Sequence, residues 1–208
     1  MTSVWDERFT GDGYVYGTAP NAWLEAKASL LVRGSRILSL GEGEGRNAVW
    51  LAAQGHRVTA MDGSSVGLEK ARRLAATRGV ELMTVVADLA DYQPEAGAYD
   101  ALVLIFVHLP PPLRAEVHAR AQAALRPGGL LILEAFTPRQ LAFSSGGPKD
   151  AALLYERDVI RRDFPWLAWD PLREEEIDLD EGPLHQGRAA VLRGLGRLGA
   201  PGTGAGHG

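Results

Sequence analysis

A glycine-rich segment contains the residues of this chain best suited to bind a ligand. It reads Gly41-Glu42-Gly43-Glu44-Gly45-Arg46-Asn47 and follows a short apolar run that ends at Leu40. Glycines in such a position let the backbone turn tightly and let a ligand approach it closely. A glycine loop between a strand and a helix is typical of cofactor sites that hold a nucleoside.

The spacing and charge of this loop argue against a dinucleotide. A dinucleotide-binding loop reads G-x-G-x-x-G, whereas this one reads G-x-G-x-G and has Arg46 at the place of the third glycine. We expect Glu42 and Glu44 to repel a pyrophosphate, which binds free backbone N–H groups. A cationic ligand would not be repelled. S-adenosylmethionine fits this description, because it carries a sulfonium and an ammonium group and has no phosphate.

Two aspartates end the next two apolar runs. Asp62 follows Arg57-Val58-Thr59-Ala60-Met61, and Asp88 follows Leu82–Val86 and Ala87. A carboxylate at the first position can accept both ribose hydroxyls, of NAD and of S-adenosylmethionine equally. A carboxylate at the second can accept a hydrogen bond from the adenine amine, with Leu89 beside the ring. The sequence therefore predicts a nucleoside site at this edge.

Apolar periodicity predicts an alternation of strands and helices. Strands are predicted over 35–40, 57–61, 82–86, 99–107 and 130–136, and helices over 21–31, 46–54, 65–78, 111–125 and 151–163. Short links between such elements imply an α/β fold with a doubly wound parallel sheet and a ligand at the carboxyl ends of its strands. Residues 138–150 are expected to form a loop. A turn at 180–183 between two further segments predicts a closing antiparallel hairpin.

Four motifs taken together resemble those of the class I S-adenosylmethionine-dependent methyltransferases. They are LSLGEGEGRNAVWLAAQGH, MDGS, VVADL and RPGGLLILEAF, in this order. The loop and the upstream YVYGTAPNAWL resemble the tellurite-resistance-type and thiopurine-methyltransferase-like branch. The resemblance covers roughly residues 5–195 and implies a mostly parallel, seven-stranded Rossmann-like sheet with a C-terminal antiparallel hairpin. Glu42 stands where the family commonly has Asp, which keeps the charge.

The resemblance implies S-adenosylmethionine as cofactor and methyl transfer as activity. The predicted cofactor-binding residues are Tyr16, Gly41, Glu42, Gly43, Arg46, Asn47, Asp62, Gly63, Ala87, Asp88, Leu89 and Ile105. Among them, Arg46 is expected to reach the methionine carboxylate. Residues 5–20, rich in aromatic side chains and glycines, are expected to form a mobile cover. The alternative is a static N-terminal extension.

His108 is the predicted catalytic residue. It follows the fourth predicted strand, where the transferred methyl group is expected, so it could accept a proton from the nucleophile or orient the acceptor. The alternative is a loop histidine that is hydrogen-bonded to the backbone. His56 and His118 are expected at the surface. No metal-binding motif is found, and the absence of Cys excludes cysteine-ligated metals and a Cys nucleophile.

The composition of the chain limits the classes of partner that it is expected to bind. The chain has 208 residues and a formal net charge of −4, which argues against nucleic acid and against an anionic membrane surface. With no export signal and no membrane-spanning run, the expectation is a cytoplasmic protein with a small-molecule acceptor. The oligomeric state stays undetermined. We expect one methyltransferase domain over 1–198, with a lid and helix over 1–34, a cofactor-binding core over 35–137, a C-terminal part over 138–198, and a flexible tail over 199–208.

The chemistry of the acceptor stays open at this point. A thiol, a metalloid or a similar nucleophile needs no general base, whereas a hydroxyl or an amine could use one. Two other functions remain as alternatives. One is a non-catalytic methyltransferase-like binding module, and the other is an NAD(P)-dependent oxidoreductase, which the loop disfavours.

Overall fold

The computed structural model describes residues 4–199, in which helices alternate with strands much as the sequence predicts. The strands are β1 (Arg36–Leu40), β2 (Arg57–Asp62), β3 (Met83–Val86), β4 (Tyr99–Ile105), β5 (Leu125–Phe136), β6 (Leu167–Asp180) and β7 (Gln186–Leu198). The α-helices are α1 (Val4–Phe9), α2 (Ala22–Lys27), α3 (Arg46–Ala53), α4 (Ser65–Arg78), α5 (Pro111–Ala124) and α6 (Arg157–Asp163). Single 3-10 turns occupy Ala28–Leu30, Pro138–Ala142 and Ala151–Leu153.

The strands form one seven-stranded sheet in the order β3-β2-β1-β4-β5-β7-β6. The first five are parallel, and β7 is antiparallel to both β5 and β6. The chain therefore builds outward from β1 to β3, then crosses back to place β4 on the other side of β1. This reversal is the switch point at which such sheets bind ligands. The predicted fold class, with its C-terminal hairpin, is confirmed.

Alternate strand residues supply the cores on the two faces of the sheet. Leu38, Leu102 and Leu131 face one apolar cluster, which α5 and α6 cover. Their neighbours Ile37 and Val103 face the other, which is closed by α2, α3 and α4. Because both faces are covered, the central strands are apolar throughout, as in other parallel sheets. This double burial explains why the four inner parallel strands are readable as short apolar runs, whereas β3 lies at the sheet edge and is partly exposed.

The structure departs from the predicted elements in several places. Helix α1 was not predicted, and the predicted helix over 151–163 divides into a 3-10 turn and α6. Strand β5 begins at Leu125 and so includes the Pro-Gly-Gly stretch that was expected to end a helix. The expectation that His118 lies at the surface is wrong. Its side chain is fully buried between α5 and α6, stacks on Phe164 and bonds Asp163. Residues 200–208 of the predicted tail lie outside the described residues.

The glycine loop is held against α4 by a close backbone contact. Gly45 precedes α3 with a left-handed φ of 92°. A Cβ placed there would lie 2.5 Å from the Cβ of Ala71 on α4. A side chain at this position is therefore excluded both by backbone conformation and by space, so the loop and the two helices pack as one unit.

We predict that Gly45→Ala destabilises the fold strongly. A left-handed alanine costs about 1–2 kcal/mol, and pressing its methyl group into Ala71 adds about 1–3 kcal/mol. The matched control is Gly79→Ala, since Gly79 has a φ of 66° with no atom within 4 Å of the added Cβ. Urea unfolding should show a clearly larger loss for Gly45→Ala than for Gly79→Ala. Equal losses would contradict the packing argument.

Candidate active site

A cavity of about 650 Å³ opens at the carboxyl ends of the parallel strands. Nearly all predicted site residues line it, although they come from five separate stretches of chain. They are Tyr16, Gly41, Glu42, Gly43, Arg46, Asn47, Asp62, Gly63, Asp88, Leu89, Ile105 and His108. Ala87 is the exception: it packs against the core, and its N–H donates to the Asp62 carbonyl. The structure thus brings the predicted residues together in one place.

Glu42 caps the helix that follows the loop. Its Oε1 accepts hydrogen bonds from the backbone N–H groups of Asn47 (3.0 Å) and Ala48 (2.8 Å), and its other oxygen accepts from the Ser39 hydroxyl. Burial raises the pKa of Glu42, while these hydrogen bonds and the nearby Arg46 oppose the rise. Two of the N–H groups that could bind a pyrophosphate at this helix end are therefore already occupied. The structure thus argues against a dinucleotide because backbone donors are occupied, whereas the sequence alone predicted charge repulsion.

Glu44, like Glu42, has its carboxylate bound by groups of the protein. It forms a buried ion pair with Lys70 of α4 and accepts a hydrogen bond from the Val15 N–H at 2.8 Å. The Lys70 ammonium also donates to the carbonyls of Phe9, Gly11 and Gly13, at 3.3, 2.8 and 2.5 Å. A buried lysine with this many partners fastens the N-terminal segment to the loop and to α4.

These contacts hold aromatic side chains of the N-terminal segment at the cavity. Trp5, Phe9 and Tyr16 line it, and Phe9 lies against the glycine loop, 3.1 Å from a Cβ added at Gly43. Trp5 stacks on Phe9 at 5.8 Å between ring centroids. The N-terminal segment thus contributes aromatic side chains to the cavity wall. Its role as a mobile cover stays a prediction.

The two strand-end aspartates face the cavity from neighbouring strands. Asp62 is buried and accepts hydrogen bonds from the N–H groups of Gly43 (2.8 Å) and Ser64 (2.7 Å). Burial raises its pKa against these bonds. Asp88 is exposed and accepts from the Ala90 N–H at 2.8 Å. Each carboxylate retains lone pairs for a further donor, as a ribose and an adenine amine would require.

Arg46 and Asn47 connect the loop to distant segments. Arg46 forms a buried ion pair with Glu181 at the tip of the β6–β7 hairpin, at 2.7 Å. Asn47 accepts a hydrogen bond from the Asn21 N–H at 2.9 Å. Asn21 in turn donates to Glu181, at 2.9 Å, and caps α2 by accepting from the Leu24 N–H. Both predicted residues border the cavity, and a contact from Arg46 to a cofactor carboxylate stays a prediction.

His108 lies in the cavity wall with both ring nitrogens engaged. Nδ1 lies 2.7 Å from the Leu153 carbonyl oxygen, and Nε2 accepts from the Phe136 N–H at 3.2 Å. These partners require a neutral ring with its proton on Nδ1. Desolvation lowers the pKa of His108 to about 4, although the bond to Leu153 opposes the shift. Because the single lone pair of Nε2 is used, this geometry favours a positioning role over the predicted proton acceptance.

His185 is a cavity residue that the sequence analysis missed. It lies just after the hairpin turn, is 6% exposed, and contacts the rings of Tyr16 (4.5 Å) and Phe106 (4.6 Å). Phe106 stacks on Phe136 at 4.5 Å. The turn predicted at 180–183 was the available indication, since it brings the next residues back toward the sheet edge. Nothing in the sequence showed that this edge is the cavity.

Residues 37–129 match the family model of a methyltransferase domain. This stretch is similar to methyltransferase domains, and it spans less than half of the chain. The match agrees with the predicted methyltransferase class and with S-adenosylmethionine as the predicted cofactor. Within residues 4–199, no helix has the length and apolar character needed to cross a membrane.

Three relatives are similar over about half of the chain. A tRNA (uracil(54)-C(5))-methyltransferase of Pyrococcus horikoshii is 27% identical over 50% of this chain and 28% of its own length. A 2-heptyl-1-hydroxyquinolin-4(1H)-one methyltransferase of Mycobacteroides abscessus is 25% identical over 61% and 57%. A ubiquinone biosynthesis O-methyltransferase of Vibrio parahaemolyticus is 33% identical over 46% and 41%. The matched stretches thus cover well under two thirds of each relative.

Solved structures share the fold over more of the chain. A protein described with the conversion of a disulfide into a thioacetal in echinomycin biosynthesis superposes with a TM-score of 0.78 at 20% identity, over 98% of this chain and 93% of that one. TehB of Haemophilus influenzae gives 0.70 at 18%, over 87% and 63%. The magnesium protoporphyrin IX methyltransferase of Synechocystis, with bound S-adenosylhomocysteine, gives 0.66 at 17%, over 92% and 91%. At these identities the likeness shows the fold and does not single out a branch.

We predict that Asp62→Ala weakens binding of S-adenosylhomocysteine roughly 10- to 150-fold, the loss expected for hydrogen bonds to a charged group. Because Asp62 also holds two backbone N–H groups, the free energy of unfolding should fall by about 1–3 kcal/mol. Asp88→Ala is the matched control, since this exposed carboxylate should change stability by less than about 0.5 kcal/mol. Calorimetric titration and urea unfolding measure both effects. Wild-type affinity in Asp62→Ala would remove Asp62 from the site.

A second prediction concerns acid stability. The folded-state pKa of His108, about 4, lies below the ordinary value near 6.5. The unfolded chain therefore binds the extra proton first, and stability is lost as the pH falls through this window. Between pH 7 and pH 5 this residue should account for about 2 kcal/mol of the loss. The loss measured by urea unfolding should be smaller by that amount in His108→Gln, and an unchanged pH dependence would contradict the assignment.

Proposed function

We propose that this protein transfers a methyl group from S-adenosylmethionine to a small-molecule acceptor. The observation that carries the proposal is the shared cavity of the glycine loop, Asp62 and Asp88. Glu42 occupies the helix donors that a pyrophosphate would need, whereas the two carboxylates remain available to hydroxyl and amine donors. This donor and acceptor set fits a nucleoside cofactor without phosphate.

The bound cofactor would supply a methyl group already activated by its positive sulfur. The acceptor's lone pair then forms the new bond to carbon, and the electron pair of the broken carbon–sulfur bond stays on sulfur. The protein mainly has to hold the acceptor in line with that bond, which can contribute about 7–11 kcal/mol through effective concentration. Phe9, Tyr16 and the hairpin tip cover the cavity and exclude water.

A small molecule is favoured as the acceptor over nucleic acid. Two of the three relatives are named for quinolone and ubiquinone-pathway methylation, and the net charge of −4 does not favour binding to a polyanion. The relative named for tRNA makes RNA the second candidate.

Among the nucleophiles considered, a metalloid oxyanion is the least favoured, because the cavity offers it few unpaired cations. Of the two cavity cations within residues 4–199, Arg46 is ion-paired with Glu181, and Arg8 donates to the neutral Tyr16 hydroxyl, so an oxyanion finds a single guanidinium without a carboxylate partner.

Several finer assignments belong to this proposal. They are the cofactor-binding set, the division of residues 1–198 into lid, core and C-terminal part, and a cytoplasmic location. Membership of the tellurite-resistance-type or thiopurine-methyltransferase-like branch is a further proposal. A non-catalytic module would keep the cofactor site without turnover, so binding and transfer have to be measured separately.

The test uses the full chain with methyl-labelled S-adenosylmethionine. S-adenosylhomocysteine at about 100 times its dissociation constant should stabilise the fold by roughly 2.7 kcal/mol, and NADP should not. Label should then appear in at least one of a panel of phenols, thiols and amines, and not in selenite or bulk tRNA. A thermal shift with NADP alone would refute the cofactor site. Binding without transfer to any acceptor would favour the non-catalytic module, and labelled tRNA would favour the second candidate.

A further inference from the structure

The cavity has a second part beyond the carboxyl ends of β4 and β5, which we call the acceptor compartment. Its walls are formed by Phe106, His108, Leu109, Phe136, Leu153 and His185. None of these side chains comes from the glycine loop or from the two strand-end aspartates. The compartment therefore adjoins the proposed cofactor site without sharing its polar groups.

The acceptor compartment is aromatic and carries no formal charge. Phe106 and Phe136 stack at 4.5 Å, and His185 meets them edge-on at 4.6 and 5.5 Å. Desolvation lowers the pKa of His108 to about 4 and that of His185 to about 3, and nearby Arg46 adds to the shift of His185. Both histidines are therefore neutral near pH 7. A wall of this kind binds planar apolar molecules and disfavours an unpaired ion.

The backbone at Phe106 supports a ligand-facing role for this wall. Phe106 has a φ of 55°, the one positive φ recorded for a non-glycine residue within 4–199. Its N–H donates to the Glu134 carbonyl at 2.7 Å, which holds the turn in place. Left-handed conformations of bulky residues are rare and collect at ligand sites, where the surrounding structure maintains them. Here the turn aims an aromatic ring at Phe136 and His185.

The two histidines of the compartment differ in their hydrogen bonds. His108 has a backbone partner at each nitrogen. Within residues 4–199, neither ring nitrogen of His185 is hydrogen-bonded, and its Nδ1 is buried. Nε2 is thus the nitrogen left for a molecule in the cavity. Nε2 faces the cavity without a partner among the described residues, so a ligand group can take the place of water there.

We propose that the acceptor is an uncharged aromatic molecule whose hydroxyl group is held by His185. The rings of Phe106 and Phe136 would receive its aromatic face, and Nε2 would bond its hydroxyl. A hydroxyl group is the matching partner because it both donates and accepts, so it suits either tautomer of an imidazole that no protein group orients. The inference rests on the proposed methyl transfer and specifies its substrate class. His185 is then a substrate-binding residue that orients the nucleophile. As the hydroxyl oxygen bonds the methyl carbon, the carbon–sulfur electron pair stays on sulfur and the hydroxyl proton is released to water.

The test compares three probes of one shape on the protein saturated with S-adenosylhomocysteine. They are 2-naphthol, 2-methylnaphthalene and the anion 2-naphthoate, with affinities taken from ligand-observed NMR titrations. The wild-type protein should bind 2-naphthol at least tenfold more tightly than 2-naphthoate. His185→Phe keeps an aromatic ring and removes the hydrogen bond. It should weaken 2-naphthol about tenfold, or 1.4 kcal/mol, and leave 2-methylnaphthalene unchanged.

Two controls separate the outcomes. His108→Gln disturbs the same wall without touching the proposed bond, so any loss should be equal for 2-naphthol and 2-methylnaphthalene. Unfolding of His185→Phe should occur at wild-type denaturant concentration or above, because a buried unpaired group is removed. Failure of S-adenosylhomocysteine to bind refutes the proposed function itself. If it binds, the inference is overturned by equal losses for the two neutral probes in His185→Phe, by tighter binding of 2-naphthoate, or by no binding of 2-naphthol.

Discussion

The carboxylate of Glu42 is the group on which the geometry of the site depends. It accepts from two N–H groups at the start of α3 and from Ser39 at the end of β1, so it connects strand and helix across the glycine loop. The unpaired donors of a helix start usually bind a side chain, water or a ligand. Here a buried side chain takes that place permanently. The loop is therefore held rigidly by Glu42, and its glycine backbone faces the cavity without side chains in between.

The remaining walls come from the two ends of the chain, and buried charges hold both of them. Lys70 and Glu44 fix the N-terminal segment from one side, and Glu181 bonds Asn21 and Arg46 from the other. The two covers also meet each other, since the Leu184 N–H donates to the Val15 carbonyl at 3.2 Å. Buried ion pairs of this kind are weak evidence for stability but demand good geometry. Their effect here is to set the shape of the cavity.

The parallel half of the fold was predictable because its information is local. The four inner strands, β1, β2, β4 and β5, read as apolar runs because both of their faces are covered. Partners distant in sequence were not predictable. His118 is buried only because α6 brings Asp163 to it, and the charges of Glu42 and Glu44 gave no sign that both side chains already had partners. His185 belongs to the same class, since its neighbours are the rings of Tyr16, Phe106 and Phe136.

Charged and neutral side chains occupy different parts of the cavity. Carboxylates lie on the side proposed for the nucleoside, where hydroxyl and amine donors would be recognised, and neutral rings lie on the side where bond making is proposed. In a methyl transfer the positive charge on sulfur is lost as the new bond forms. A carboxylate close to that sulfur would stabilise the charged reactant more than the transition state, in which the charge is already reduced, and would slow the reaction. Neutral histidines and phenylalanines avoid this penalty, which gives a physical reason for an acceptor compartment without formal charge.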